Sequence, residues 1–284
     1  MMKKPYSLDP ENSEQAQKIE SALLEGLESL PPDSQQRAKI RTRLFQRVHA
    51  SIAAESSRIT VRSEQGDWRK ILPGVCAKTL DEHARAFILD IAPGASLPMH
   101  RHHENEECVV IRGSASLGEL KVNAGDYHLA RSNSRHGRIS SETGALLYLR
   151  GIPIGHIAEV ALDLLTAFLP GDGRELITIR ADEGQWSDLA PGVSGKPLFD
   201  DRKIRSSIVR IAADTSWTIQ QQLLAADEEC LLLEGDVFIG DTLLRTGDWQ
   251  FAPAGSESRS ISTEKGALFF MRCTQNRTLP QTRA

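Results

Sequence analysis

Residues 59–75 read ITVRSEQGDWRKILPGV, and residues 177–193 read ITIRADEGQWSDLAPGV. The match begins at an offset of 118 positions and continues down the chain. Glu106-Glu107-Cys108 returns as Glu228-Glu229-Cys230, Gly125-Asp126 as Gly247-Asp248, and Gly144-Ala145-Leu146 as Gly266-Ala267-Leu268. The offset has grown to 122 by then, through small insertions near 199–202 and 223–226. Matched anchors in unbroken order make an internal duplication, and a duplication decides architecture before any local reading does.

Each copy reads as short strands. Arg85–Ile91, Cys108–Arg112, Ala115–Val122 and Leu146–Arg150 are β-branched or alternate apolar and polar residues. Pro93-Gly94, Gly113, Asn123-Ala124-Gly125 and Thr143-Gly144 separate them as turns. Many short strands at even spacing predict a sandwich or barrel, and a barrel closes off edges that would otherwise be exposed. Ahead of the first copy, Ser13–Leu30 and Asp33–Ala54 predict a helical hairpin broken at Pro31-Pro32, with Asp33 or Ser34 as N-cap. Ile40, Leu44, Phe45, Val48 and Ile52 form an apolar stripe on its second helix. Between the copies, Ile154–Leu169 is apolar on nearly every side, which predicts a buried helix between barrels or at a dimer contact.

Composition narrows the function classes. The chain has 284 residues, enough for two domains of ordinary size. Its net charge is -4 and no basic block exceeds a helical turn, so no DNA-binding face is expected. No apolar run approaches the roughly 18 residues of a membrane span, and the start lacks a signal-peptide pattern. The expected location is the cytoplasm. Cys76, Cys108, Cys230 and Cys273 lie far apart and form no CxxC pair, which suits buried reduced thiols.

The chemistry concentrates in residues 94–113, GASLPMHRHHENEECVVIRG, and 125–136, GDYHLARSNSRH. His100 and His102 are two apart, so a strand points both to one face. Glu106 lies a further even step along, past a turn at His103–Asn105, and His136 must arrive from another strand. Three imidazoles and a carboxylate suit zinc, iron, manganese, nickel or copper rather than magnesium or calcium. His103 and Glu107 fall off that face and are expected in solvent. His128 is expected to be structural, and His49, His83 and His156 to serve surface or packing. In the second copy Gln220 and Gln222 replace the first two histidines and Ser258 replaces His136, while Glu228 remains. That barrel is expected to hold no metal and to pair structurally with the first, or to offer a small-molecule pocket.

These spacings resemble the two signature motifs of the cupin superfamily, the first matched throughout. In the second motif, Arg131, Asn133 and Ser140 stand where the family has proline, glycine and asparagine. Asn133 can supply the left-handed turn that glycine would give. The resemblance implies a mainly β fold of two tandem cupin (double-stranded β-helix, or jelly-roll) barrels with an N-terminal helical segment and an inter-barrel helix. The implied domains are a helical segment 1–57, a metal-binding cupin 58–152, a helical linker 153–175, a metal-free cupin 176–275 and a tail 276–284.

The motifs, the Trp-Pro-Gly-Val lead-in and the Leu30-Pro31-Pro32 segment together resemble the ChrR-like anti-sigma factor proteins. In these a small helical domain precedes a zinc-binding cupin that senses oxidative or photo-oxidative stress. The resemblance implies a stress-responsive sensor with one divalent metal, zinc first and iron, manganese or nickel next, held by His100, His102, Glu106 and His136. It implies a sigma factor or other protein as partner of the N-terminal helices. Members carry a His and Cys zinc cluster in the helical domain; residues 1–57 here have no cysteine, and His49 alone among histidines. The residues themselves leave two alternatives open. One is a metal-dependent dioxygenase or isomerase acting on a small anionic molecule, steered by Arg112, Arg131 or Arg150. The other is a non-catalytic, metal-dependent ligand binder. A homodimer fits any of the three.

Overall fold

The computed structural model describes residues 18, 33–56, 58–81, 85–151, 176–218 and 226–274, with the backbone alone at 47–56 and 136. Residues 1–53 and 54–284 are separate compact units. Helix α1 spans Ser34–Ser56, nearly all of it in the first. Asp33 caps it as expected: its carboxylate accepts a bond from the Gln36 amide at 2.7 Å. Ile40, Leu44 and Phe45 recur on one face of α1 and are each more than half exposed. The expected first helix and the inter-barrel helix lie outside the described residues. No helix among the described residues is long and apolar enough to cross a membrane.

The described residues of 54–284 form two ten-stranded antiparallel sheets, each centred on one long strand, Glu106–Leu117 or Asp227–Ile239, and one two-stranded sheet. The ten-stranded sheets are the two tandem cupin barrels, and the fold is mainly β as the duplication implied. Gly113 does not end a strand. The backbone passes through it at φ 75°, and a Cβ there would stand 2.1 Å from the Gly144 carbonyl oxygen, so only glycine lets the two strands approach. The second copy repeats this at Gly235 and Gly266.

Alternation along each long strand sorts side chains into three apolar clusters. Cys108 and Val110 enter the core of the first barrel with Leu89, Ile91 and Leu147. Cys230 and Leu232 do the same in the second barrel with Val209 and Phe269. The opposite faces of both sheets meet in a shared cluster that includes Val109, Tyr127, Tyr148, Leu231, Trp249 and Phe270. Strand Ala86–Ile91 is therefore covered on both sides, which is why AFILDI is almost unbroken apolar sequence.

The start of each copy pairs with the other barrel. Strand Ile59–Val61 adds to Trp249–Ala252, and Ile177–Ile179 adds to Tyr127–Ala130. Each exchange is clamped by the aspartate of a repeated Gly-Asp pair. Asp248 accepts from Arg62 Nη1 at 2.9 Å and the Ser63 amide at 2.7 Å. Asp126 accepts from Arg180 Nη1 and the Ala181 amide, both at 2.9 Å.

Glu107, expected in solvent, is 2% exposed. Its strand's second face meets the other barrel rather than water. There it accepts from Tyr127 Oη at 2.8 Å, from Ser206, and from Arg272 of the second copy. Its counterpart Glu229 accepts from Tyr148 Oη at 2.8 Å, Arg150 Nε at 2.9 Å and Arg272 Nη1 at 3.1 Å. Burial opposes the Arg272 charge, but Glu107 and Glu229 outweigh it and hold the guanidinium more firmly protonated than usual. Burial also raises both tyrosine hydroxyls, helped by these carboxylates.

Arg272→Met should lower unfolding free energy by about 3–5 kcal/mol in urea titration, because two buried carboxylates lose their shared cation. Arg205→Ala, which breaks an exposed pair with Asp200, should leave the transition in place.

Candidate metal centre

Backbone pairing builds the site at the mouth of the first barrel. The two-residue strands His100–Arg101 and Arg135–His136 pair antiparallel, with His136 directly opposite His100. The His136 side chain lies outside the described residues. Beyond them, the His102 amide donates to the Ser134 carbonyl at 3.0 Å, and the Asn133 amide donates to the His102 carbonyl at 2.6 Å. The Asn105 side chain accepts from the Ser132 amide at 2.9 Å. Asn133 takes φ 65°, the left-handed turn expected of it. The two motif loops are thus fastened to each other by their backbones.

One donor atom from each of His100, His102 and Glu106 lies within 4.8 Å of the other two. Glu106 Oε2 is 3.3 Å from His102 Nδ1 and 3.8 Å from His100 Nε2. The two rings stand edge to face, 4.9 Å between centroids. His102 and Glu106 are buried, and His100 is partly so. His100 Nδ1 lies 3.1 Å from the Pro98 carbonyl. A carbonyl can only accept, so Nδ1 is the donor in that contact and Nε2 is the nitrogen left to face Glu106 and ligate a metal. Two imidazole nitrogens and a carboxylate oxygen converging out of water are a fitting donor set for a borderline divalent metal.

Below the site the barrel is apolar. Cys108 is two residues beyond Glu106 on the same face, and burial pushes its thiol far up, with the Glu106 charge adding to this. All four cysteines are free: Cys108 and Cys230 are buried, Cys76 and Cys273 partly so. Burial raises Cys230 and Cys273 to about 12, so neither is a ready nucleophile.

The other candidates fall elsewhere. His103 is exposed, as expected. His128 is buried and structural, its Nδ1 2.9 Å from Thr178 Oγ1 on the exchanged strand. His49, His83 and His156 lie outside the described side chains. None of the three arginines considered for steering an anion serves the metal site: Arg150 is bound to Glu229, Arg131 lies over the Phe199 ring, and Arg112 is exposed.

In the second barrel, Gln220 and Gln222 fall outside the described residues. Glu228 and Ser258 line a small cavity of about 30 Å³ together with Arg58 and Arg259. Sequence reasoning missed Arg58. It immediately precedes the exchanged strand 59–61, so the first copy delivers a guanidinium to the mouth of the second barrel, anchored on the Glu257 carbonyl at 2.5 Å. The signal available was its position before a repeat anchor, which becomes meaningful only once the strand is known to cross.

The fold and this donor cluster define a bicupin with a metal-type centre in its first barrel. The chain belongs to the ChrR cupin-like domain family, whose sequence profile matches residues 56–154 and 174–276. No curated protein sequence matches it. Among solved structures, a Nostoc punctiforme protein provisionally described as a dioxygenase is 16% identical, with a TM-score of 0.58, covering 80% of this chain and 85% of that one. Oxalate decarboxylase from Bacillus subtilis, studied for its Mn(II) centres, is 15% identical with a TM-score of 0.51, covering 78% of each chain. Salicylate 1,2-dioxygenase from Pseudaminobacter salicylatoxidans is 18% identical with a TM-score of 0.50, covering 72% of each. At these identities the likeness is one of fold.

Burial raises the Glu228 carboxyl above its ordinary 4.5, with Arg58 pulling the other way. The folded protein therefore holds this proton more tightly than the unfolded chain, and Glu228 costs stability as pH rises through that window. Glu228→Gln should melt higher than the parent at pH 7.5, with the gap closing below about pH 4. A gap independent of pH would contradict the assignment.

Proposed function

We propose that the protein is a metal-loaded regulator of the ChrR type, holding one divalent ion through His100, His102, Glu106 and His136. The convergence of His100 Nε2, His102 Nδ1 and the Glu106 carboxylate carries this reading. Each residue has a distinct task. The Pro98 carbonyl orients the His100 ring through Nδ1. Glu106 supplies negative charge that balances a dication in a buried setting, and the pairing of 135–136 with 100–101 brings His136 level with His100. When bound, the ion would tie the two motif loops together and could polarise an oxygen ligand at any open position. The regulatory part of the reading rests on the family match and on α1, whose exposed Ile40, Leu44 and Phe45 suit a helix-in-groove contact with a sigma factor or similar protein.

A second reading is a metal-dependent enzyme, a dioxygenase or isomerase. The activities named for the structural neighbours favour it, since the same barrel architecture serves an oxalate decarboxylase and a salicylate dioxygenase.

Elemental analysis of protein purified without added metal tests the shared part. One ion per chain is expected, falling toward none in His100→Ala, His102→Ala and His136→Ala. Unchanged stoichiometry in these variants would remove the ligand assignment. Zinc without exchangeable water supports the regulator; iron, manganese or nickel with exchangeable water supports the enzyme. For the partner, Leu44→Asp should abolish co-purification with a co-expressed sigma factor while leaving metal content intact.

A further inference from the structure

A cleft of about 530 Å³ opens between the two barrels, with none of the metal ligands in its lining. Its volume is within the range of small-molecule sites, roughly 300–1,000 Å³. Its apolar lining is Ile111 from the first copy with Leu233 and Leu268 from the second, Leu268 lying opposite Arg210 in the sheet register. The same lining carries charge: Lys196, Arg210 and Lys265 against the single acid Glu234. Lys196 is already committed, its ammonium donating to the carbonyls of Arg180, Ala181 and Glu183 at 3.0–3.2 Å. Arg210 and Lys265 make no ion pair or hydrogen bond among the described residues. Arg210 is instead held by stacking, its guanidinium 4.2 Å from the centre of the Trp186 ring. A guanidinium fixed on an aromatic face keeps its donors for something else, in a geometry that matches a carboxylate.

The duplication provides an internal control. Register equates Arg210 with Asp90, because each lies one residue before the isoleucine that pairs with Val193 or Val75. It equates Glu234 with Arg112, each opposite a leucine of the following strand. Lys265 precedes Gly266 as Thr143 precedes Gly144. The scaffold is therefore built in the first copy without either uncommitted cation of the second. The scaffold does not require a cation at either position, and the stack on Trp186 holds the Arg210 guanidinium without using its N–H donors.

We propose that this inter-barrel cleft binds a small hydrophobic carboxylate, its anionic end on Arg210 and Lys265 and its hydrocarbon body on Ile111, Leu233 and Leu268. The site is independent of the metal and of the reading of the metal centre. Isothermal titration of the full-length protein with 2-naphthoate tests it, with 2-naphthylmethanol as the uncharged analogue and inorganic phosphate as the bare anion. Saturable binding of naphthoate is expected, weaker by at least about tenfold for the alcohol and for the Arg210→Gln/Lys265→Gln variant. Both substituted side chains are exposed, so the variant should keep the parent's melting temperature and metal content. Leu233→Ser should also weaken naphthoate without making phosphate bind. No saturable naphthoate binding, equal affinity for the alcohol, undiminished binding by the double variant, or phosphate competing at equal concentration would each overturn the proposal.

Discussion

A guanidinium shared between two carboxylates sits where the barrels meet, and much of the remaining structure is arranged around it. Arg272 binds Glu107 of the first copy and Glu229 of its own. Arg150 reaches across to Glu229 from the other side. Such a cluster pays heavily in lost hydration, so it adds little net stability over a well-packed apolar substitute. What it restricts is geometry. Each carboxylate reaches the arginine of the opposite copy in this docking, and a slipped or rotated interface would strand buried charge. The tyrosines, the shared apolar cluster and the exchanged strands all presuppose that same docking.

The sequence announced the barrels because the evidence for them was repetition and strand-length patterning, both of which survive in a linear string. The metal donors were readable by residue type and closeness in sequence, but not by strand alternation. His100 lies in a two-residue strand, His102 in the turn after it and Glu106 at the head of the long strand, so the turn brings them together. The alternation rule also misled at Glu107. Alternation says that two neighbours face opposite ways, but not what lies on the second side, and water was the wrong guess. Gly113 shows a related limit. Glycine marks special backbone, yet whether it ends a strand or admits a neighbouring carbonyl depends on a contact 31 residues away, at Gly144. The anchors Gly125-Asp126 and Gly247-Asp248 were visible as repeats, while their task of clamping the opposite copy's first strand was not.

Symmetry in the scaffold and asymmetry in the sites belong together. The interface needs its glutamates, arginines and strand clamps in both halves, and these recur nearly residue for residue. The barrel mouths are under no such demand. One gathers imidazoles and a carboxylate; the other receives Arg58 beside Glu228. The outer cleft diverges in the same manner, with Arg210 answering Asp90. Function has room to differ where docking does not depend on the residue.

The crossing of the first strand has a further implication for how such a molecule can be taken apart. Neither half owns a complete sheet, since each lends its opening segment to the other and closes only with what it receives in return. Severing the chain between the copies would yield two fragments, each with an unfilled groove and an orphaned ribbon that fits the opposite fragment. Mixed, they are shaped to complement one another; alone, each is shaped to seek a second copy of itself. A single ancestral barrel with this trait would be obliged to exist as a pair, and joining two such genes would convert that obligation into a property of one polypeptide.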